Sequence, residues 1–261
     1  MELSIQKQNS EEYIYKFFRW DSLKAMLTDK RLRLEQTEKW EKDDVYENFA
    51  FKSLYNSKLP LRKSNIYGQS WTFYHSSDAM WQIYSDKPEK EQNISDLGRT
   101  AIKVRTTIPK LKEVISGPIS DIECDKYAYM GSVKYMGLDK IKKWIKVSEK
   151  DKLIKSLFVK RWAYIHEKEY RIIVYIDNKE TVEHIHFDID TDYMFDKFFL
   201  DPRLTPNQCN EFTDYLIKTL NVSEDKIEKS SLQTLKGWIT EGVELDWRRP
   251  NTQVTTINWN K

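Results

Sequence analysis

Strand-like alternation and helix-like spacing interleave along this chain without a repeating strand–helix–strand rhythm, and that irregular order narrows its fold more than any other feature. "YIYKFFR" (Tyr13–Arg19) reads as an aromatic-rich strand. "DSLKAMLTDK" follows as a helix, with Asp21 or Ser22 as N-cap and Leu23, Met26 and Leu27 at helical spacing. "RLRLEQ" alternates as a short strand, and the polar, acidic residues 35–47 read as loop. Gln69–Tyr74 is strand-like, and Ser76 or Ser77 caps a helix on which Trp81 and Tyr84 sit three apart. Ile102–Thr106 alternates, then a helix starts at Thr107 with Pro109 in its first turn. Tyr127–Met136 is a strand broken by Gly131, and residues 139–160 form a Lys-rich helical stretch. "TVEHIHFDID" and "FDKFFLDPRL" supply two more strands. A last helix is capped by Thr205 and opened by Pro206, with Cys209, Phe212, Leu216 and Leu220 as its apolar stripe. The expected fold is α+β, with mixed, largely antiparallel sheets and flanking helices around a cleft.

With 261 residues the chain is long enough for a full core, and it reads as a single domain, 1–261. Charged residues make up 32% and hydrophobic ones 39%, which excludes a disordered or fibrous chain. Nine tryptophans point to large rigid side chains in the core and along a ligand cleft. The net charge of +2 does not by itself argue for nucleic acid. Cys124 and Cys209 have no ligand or disulfide spacing, so no zinc site is expected and a reducing cytoplasm fits. No secretory signal and no stretch approaching ~20 apolar residues is present, so no membrane partner is expected.

The densest chemical signal is "IHEKEYRIIV" (Ile165–Val174). A strand beginning near His166 would set Glu167, Glu169 and Arg171 on one face. Like charges side by side repel, so the pattern asks for something positive between them. The stretch is either a solvated strand end or the working edge of a site.

Two further clusters have bland readings. His184, His186, Asp188 and Asp190 alternate along one strand face and could hold a metal, but a half-buried sheet with its polar side in water gives the same pattern and is preferred. Lys126–Arg161 carries eleven Lys or Arg against three Asp or Glu, with aromatic residues interleaved. Lys140, Lys143, Lys146 and Lys150 there suit phosphate contacts, and equally a solvated helix face. No P-loop, GxGxxG, GxSxG or HExxH is present.

The succession "YKFFRWDSLKAMLTDKRLRLEQTEKWEKDDVYE", "SWTFYHSSDAMWQIYS", "KRWAYIHEKEYRIIV", "FFLDPRL" and "SSL" resembles the bacterial domain-of-unknown-function family numbered twenty-nine seventy-one, over residues 13–232, leaving 233–261 as an extension. That pattern is in turn similar to the ADP-ribosyltransferase fold, which places a basic or imidazole residue on a first strand, a Ser, Thr or Tyr on a second and a Glu on a third. The resemblance implies Lys16, with Tyr15 beside it and Arg19 nearby, at the first position. It implies Ser70 or Thr72 at the second, and Glu169 with Glu167 at the third. Lys16 stands where those enzymes prefer His or Arg, "EKDDVYE" replaces an Asn-Asp-Pro-Phe-Glu loop, and "SWTFY" replaces Cys-Phe-Ser.

In function, the resemblance implies an NAD-using ADP-ribosyltransferase or NAD glycohydrolase, acting as a bacterial toxin or phage-defence effector. NAD would be the substrate and no metal is expected. Partners would be a nucleic-acid acceptor and a regulatory or antitoxin protein. Lys16, Arg19, Tyr15 and Arg171 would hold NAD, and Trp81 and Tyr84 would stack on nicotinamide. Two rival readings stay open. One is a metal-dependent nuclease using Asp43, Asp44, Glu47, Glu167 and Glu169; the other is a non-catalytic nucleic-acid-binding module.

Overall fold

A computed structural model describes residues 12–42, 49–55, 62–75, 77–147, 151–178 and 181–230. In chain order the strands are β1 (Tyr13–Arg19), β2 (Arg31–Gln36), β3 (Ile66–Thr72), β4 (Ala101–Thr107), β5 (Asp125–Ser132), β6 (Lys134–Met136), β7 (Val159–Arg161), β8 (Glu169–Asp177), β9 (His184–Asp188), β10 (Lys197–Leu200) and β11 (Ile227–Lys229). The helices are α1 (Trp20–Asp29), α2 (Phe49–Leu54), α3 (Asp78–Tyr84), α4 (Ile108–Ser116), α5 (Leu138–Lys146), α6 (Lys152–Ser156), α7 (Thr191–Met194) and α8 (Pro206–Lys218).

The main sheet runs β11-β10-β4-β1-β3-β2-β9, with β8 on the other edge of β3 and β5 beyond β8. Every pair in it is antiparallel except β10 with β11, and β6 and β7 form a separate parallel pair. The architecture is the mixed, largely antiparallel α+β arrangement expected from the sequence. β3 is the branch point: β1 meets it at Thr72, β2 meets it at Tyr67 and Gly68, and β8 pairs along its full length. β8 is thus paired on both edges, and Tyr170 to Val174 are buried without alternation, so both of its faces are covered. One face of the sheet carries the main core, built with α1, α4 and α8 from residues such as Ile14, Phe18, Trp71, Ile172, Phe187 and Phe212. No helix among the described residues is long and apolar enough to cross a membrane.

Several boundaries differ from the sequence reading, each for a physical reason. α1 starts at Trp20, directly off β1, with no side-chain cap. The carbonyls of Thr100 and Gly98 accept from the amides of Trp20 and Asp21, so neither Asp21 nor Ser22 has to cap. Part of the expected loop 35–47 is strand and a 3-10 helix, Thr37–Lys42. Gly131 does not break β5 but pairs opposite Arg171; the break falls at Val133, whose amide donates to the Glu169 carbonyl. The Lys-rich stretch divides into α5, α6 and β7. Asp190 lies past β9, where it caps α7. Where local chemistry is explicit, sequence and structure coincide. Ser77 caps α3, and Thr205 with Gln208 forms a capping box on α8, whose Phe212 and Leu216 are buried.

Candidate functional site

Glu167 and Glu169 do not sit together on a strand. Trp162–Glu167 is a 3-10 helix, Lys168 turns the chain with φ 39°, and β8 begins only at Glu169. What joins the carboxylates is Lys160 on β7, whose Nζ lies 2.6 Å from Glu167 Oε2 and 2.6 Å from Glu169 Oε1. The positive charge that the sequence pattern demanded is a lysine of the chain itself. Arg171 Nε adds a second cation 2.7 Å from Glu169 Oε2, and the Ser70 hydroxyl donates to the same oxygen at 2.8 Å. Both glutamates are only 5% exposed. A buried charge is tolerated when it is paired and hydrogen-bonded, and Glu169 meets both conditions.

The two carboxyls are pushed in opposite directions. Burial raises Glu167 to about 7, helped by its neighbour Glu169, while the Lys160 ammonium works the other way. Burial would raise Glu169 as well, but Arg171 and Lys160 outweigh it and hold this carboxyl well below the usual carboxylate range. A permanently ionised glutamate thus stands beside one that titrates near neutrality. Tyr135 closes the cluster, its hydroxyl accepting from the Glu169 amide at 2.8 Å.

Arg171 is fixed from three sides. Nη1 donates to the Leu157 carbonyl at 2.7 Å, and the guanidinium lies 4.9 Å from the Trp40 ring centroid. Trp40 packs on Gly68 so closely that a Cβ there would meet its ring at 2.7 Å. Glycine at 68 is a close-approach position that lets the indole reach the guanidinium.

Strand register decides which of the other expected residues join. Arg105 pairs with Tyr15, Tyr15 with Thr72, and Thr72 with Glu169, forming one row across four strands on one face. Lys16 is one residue off that row. It shares the opposite pleat with Ile14 and Phe18, its ammonium 5.3 Å from the Phe18 centroid and donating to the Ser70 carbonyl at 2.8 Å. A single step along a strand turns a side chain to the other face, so of the two it is Tyr15 that shares the sheet face of Glu169, with Thr72 between them. Burial lowers Lys16 to about 8, against the pull of Glu35 and Glu169. Arg19 is exposed at the end of β1.

Ser70 touches Glu169, whereas Thr72 is committed to backbone. Its hydroxyl donates to the Glu167 carbonyl at 2.6 Å and accepts from the Tyr74 amide at 3.0 Å, which pins the turn carrying Glu167. Trp81 is fully buried against Phe17, so it has no free face for a ligand. Tyr84 is 38% exposed and stacks at 6.0 Å on Phe17. Burial raises its phenol, and the charges of Glu167 and Glu169 add to the effect, which puts Tyr84 at the rim of the glutamate pair.

Of the remaining expectations, Lys140, Lys143 and Lys146 are exposed on α5, while Lys150 lies outside the described residues. Asp43, Asp44 and Glu47 also lie outside them. His184 and His186 pack ring to ring at 4.9 Å, and Asp188 accepts from Arg31 and Ser120. Among the described residues no group of three or more His, Cys, Asp or Glu is placed to hold a metal ion. Sequence reasoning missed Lys160 and Tyr135, both inside the basic, aromatic stretch that it read equally as a phosphate-contacting surface or a solvated helix face.

No family model and no curated protein matches the chain. Among solved structures it is similar to Thermus sp. 2.9 DarT in complex with ADP-ribosylated ssDNA, at 12% identity over 88% of this chain and 98% of that one, with a TM-score of 0.38. The same protein in complex with NAD+ gives 10%, 87%, 98% and 0.37. A likeness of this size carries no argument about the site, which stands on its own geometry.

Proposed function

We propose that the chain cleaves the nicotinamide–ribose bond of NAD and passes the ADP-ribosyl group to an acceptor or to water. The observation that carries this reading is the geometry of the buried glutamate pair beside Ser70, with Glu169 held by both Lys160 and Arg171 and Glu167 by Lys160. Departure of nicotinamide takes the bonding electron pair onto its ring nitrogen and leaves an oxocarbenium-like ribosyl cation. An ionised Glu169 stabilises that charge. The acceptor's lone pair then forms the new bond at the ribosyl carbon, and its proton goes to Glu167, whose pKa of about 7 suits a general base at neutral pH. Tyr84 supplies an aromatic face at the rim. For the substrate to enter, Lys160 has to yield its place between the carboxylates.

The motif resemblance supports a role as toxin or phage-defence effector with a nucleic-acid acceptor. The exposed α5 lysines, Lys140, Lys143 and Lys146, supply a surface for its phosphates. Contact there makes binding salt-dependent, with a log–log slope of ~0.7 per phosphate on single strands. One observation favours a second, purely structural reading: every oxygen of Glu169 and one of Glu167 is already held by the chain's own donors. Incubation of the full chain with NAD, alone and with single-stranded DNA, RNA or protein, separates the two. Release of nicotinamide supports the enzyme, and intact NAD in every mixture leaves the network structural.

A further inference from the structure

The same sheet face holds a second charged cluster, on β4 and its neighbours. Lys103 is 2% exposed, and its ammonium lies 4.2 Å from the Phe199 centroid, 5.3 Å from that of Tyr15 and 5.9 Å from that of Trp81. One carbonyl, that of His75, accepts from Nζ at 2.6 Å. Arg105 stands two residues on, on the same face, its guanidinium 4.3 Å from the Tyr13 ring, and its Nε is buried without an acceptor. The His75 ring packs at 5.2 Å on Tyr15 and at 5.6 Å on Phe199, and is close enough to both cations to feel their charge.

Among the described residues none of these three bases has a carboxylate within ion-pair distance. The acid that reaches His75 and Lys103 electrostatically, Glu228, is bonded to Lys197 at 2.5 Å. Burial lowers Lys103 to about 8, and partial burial with the two neighbouring cations lowers His75. Gathering uncompensated positive charge in a low-dielectric place is destabilising unless an anion arrives. Other buried lysines, such as Lys152, also donate to carbonyls, but Lys103 in addition has an arginine and a histidine beside it.

We propose that His75, Lys103 and Arg105 form a binding site for a phosphate group, entered past the exposed rings of His75 and Tyr13. A phosphate anion suits a cluster of guanidinium, ammonium and imidazole, and guanidinium and ammonium donors are the usual phosphate partners. Across β4, β1, β3 and β8 the site lies three strand spacings from Glu169, about 14 Å. It therefore stands whether or not the glutamate pair is catalytic.

The test is titration of the full chain with inorganic phosphate, pyrophosphate and adenosine monophosphate, each against sodium chloride at matched ionic strength. Thermal unfolding and the NMR titration of His75 are the readouts. A saturable rise in the unfolding midpoint and an upward shift of the His75 pKa are expected. The probe that saturates lowest tells free phosphate from nucleotide-borne phosphate. Lys103→Met replaces an uncompensated buried charge with an apolar chain of similar length, so it should fold and melt at or above the wild-type midpoint. It and Arg105→Gln should each weaken phosphate at least tenfold. No effect beyond that of chloride, or phosphate binding in both variants as tight as in wild type, overturns the proposal.

Discussion

Lys160 holds Glu167 and Glu169 together, its Nζ 2.6 Å from an oxygen of each. The lysine comes from β7 and Glu169 from β8, with a 3-10 helix and a left-handed residue between them folding the chain back on itself. The pair is therefore a tertiary device and not a property of one strand. Its ammonium lowers the repulsion between the two carboxylates, and Arg171 decides which one stays ionised.

Lys160→Met should leave the glutamates facing each other without a bridge. Removing one partner of a buried pair costs about 3 kcal/mol or more. The loss should be largest at pH 8 and smaller at pH 5, where Glu167 is already protonated and needs no cation. Urea titrations at the two pH values measure it. A loss under ~1 kcal/mol at pH 8 would show that the bridge is not formed.

Glu167 should give the protein a characteristic pH dependence. Its folded-state pKa, about 7, lies above the unfolded value, so the folded state holds the proton more tightly. The stability this contributes is complete below the unfolded carboxyl pKa and is lost as pH rises through about 7. Glu169, depressed, acts with the opposite sign, its contribution being lost only in acid. Glu167→Gln should remove the decline toward neutral pH and leave the acid limb in place. Superimposable pH–stability curves for the variant and wild type would contradict the assignment.

Gly68→Ala should be costly although it adds one methyl group. The new Cβ meets the rigid Trp40 ring at 2.7 Å and the Ile172 carbonyl at 3.0 Å, and neither can step aside cheaply. Overpacking of this kind costs about 1–3 kcal/mol. Displacing Trp40 also takes the aromatic face away from Arg171. Chemical denaturation checks the size, and a variant as stable as wild type would mean that Trp40 is not seated there.

The sequence carried those parts of the fold whose chemistry is local. Thr205 and Pro206 spell out a helix start, Ser77 does the same for α3, and the apolar run after Arg171 announces a strand. Less was legible where a boundary depends on distant partners, as at Trp20, whose amide is satisfied by the Thr100 carbonyl. The glutamate motif was visible, but its geometry was not. Alternation placed Glu167 and Glu169 on one strand face, whereas the left-handed turn at Lys168 ends that strand and leaves Lys160 to join them. The resemblance put Lys16 at the first position, and no motif shows that Tyr15 and Lys16, one residue apart, face opposite sides of the sheet.

Nicotinamide release from NAD by wild type and Glu169→Gln, each shown by urea titration to be folded at the assay temperature, tests the central claim most directly. The substitution removes the charge that Lys160 and Arg171 share, so it should cost about 3 kcal/mol of stability. Lost stabilisation of the ribosyl cation should lower the rate by a further two to three orders of magnitude, roughly 3–4 kcal/mol of barrier. A folded Glu169→Gln protein that releases nicotinamide at the wild-type rate would contradict the account, as would a wild type that leaves NAD intact with every acceptor supplied.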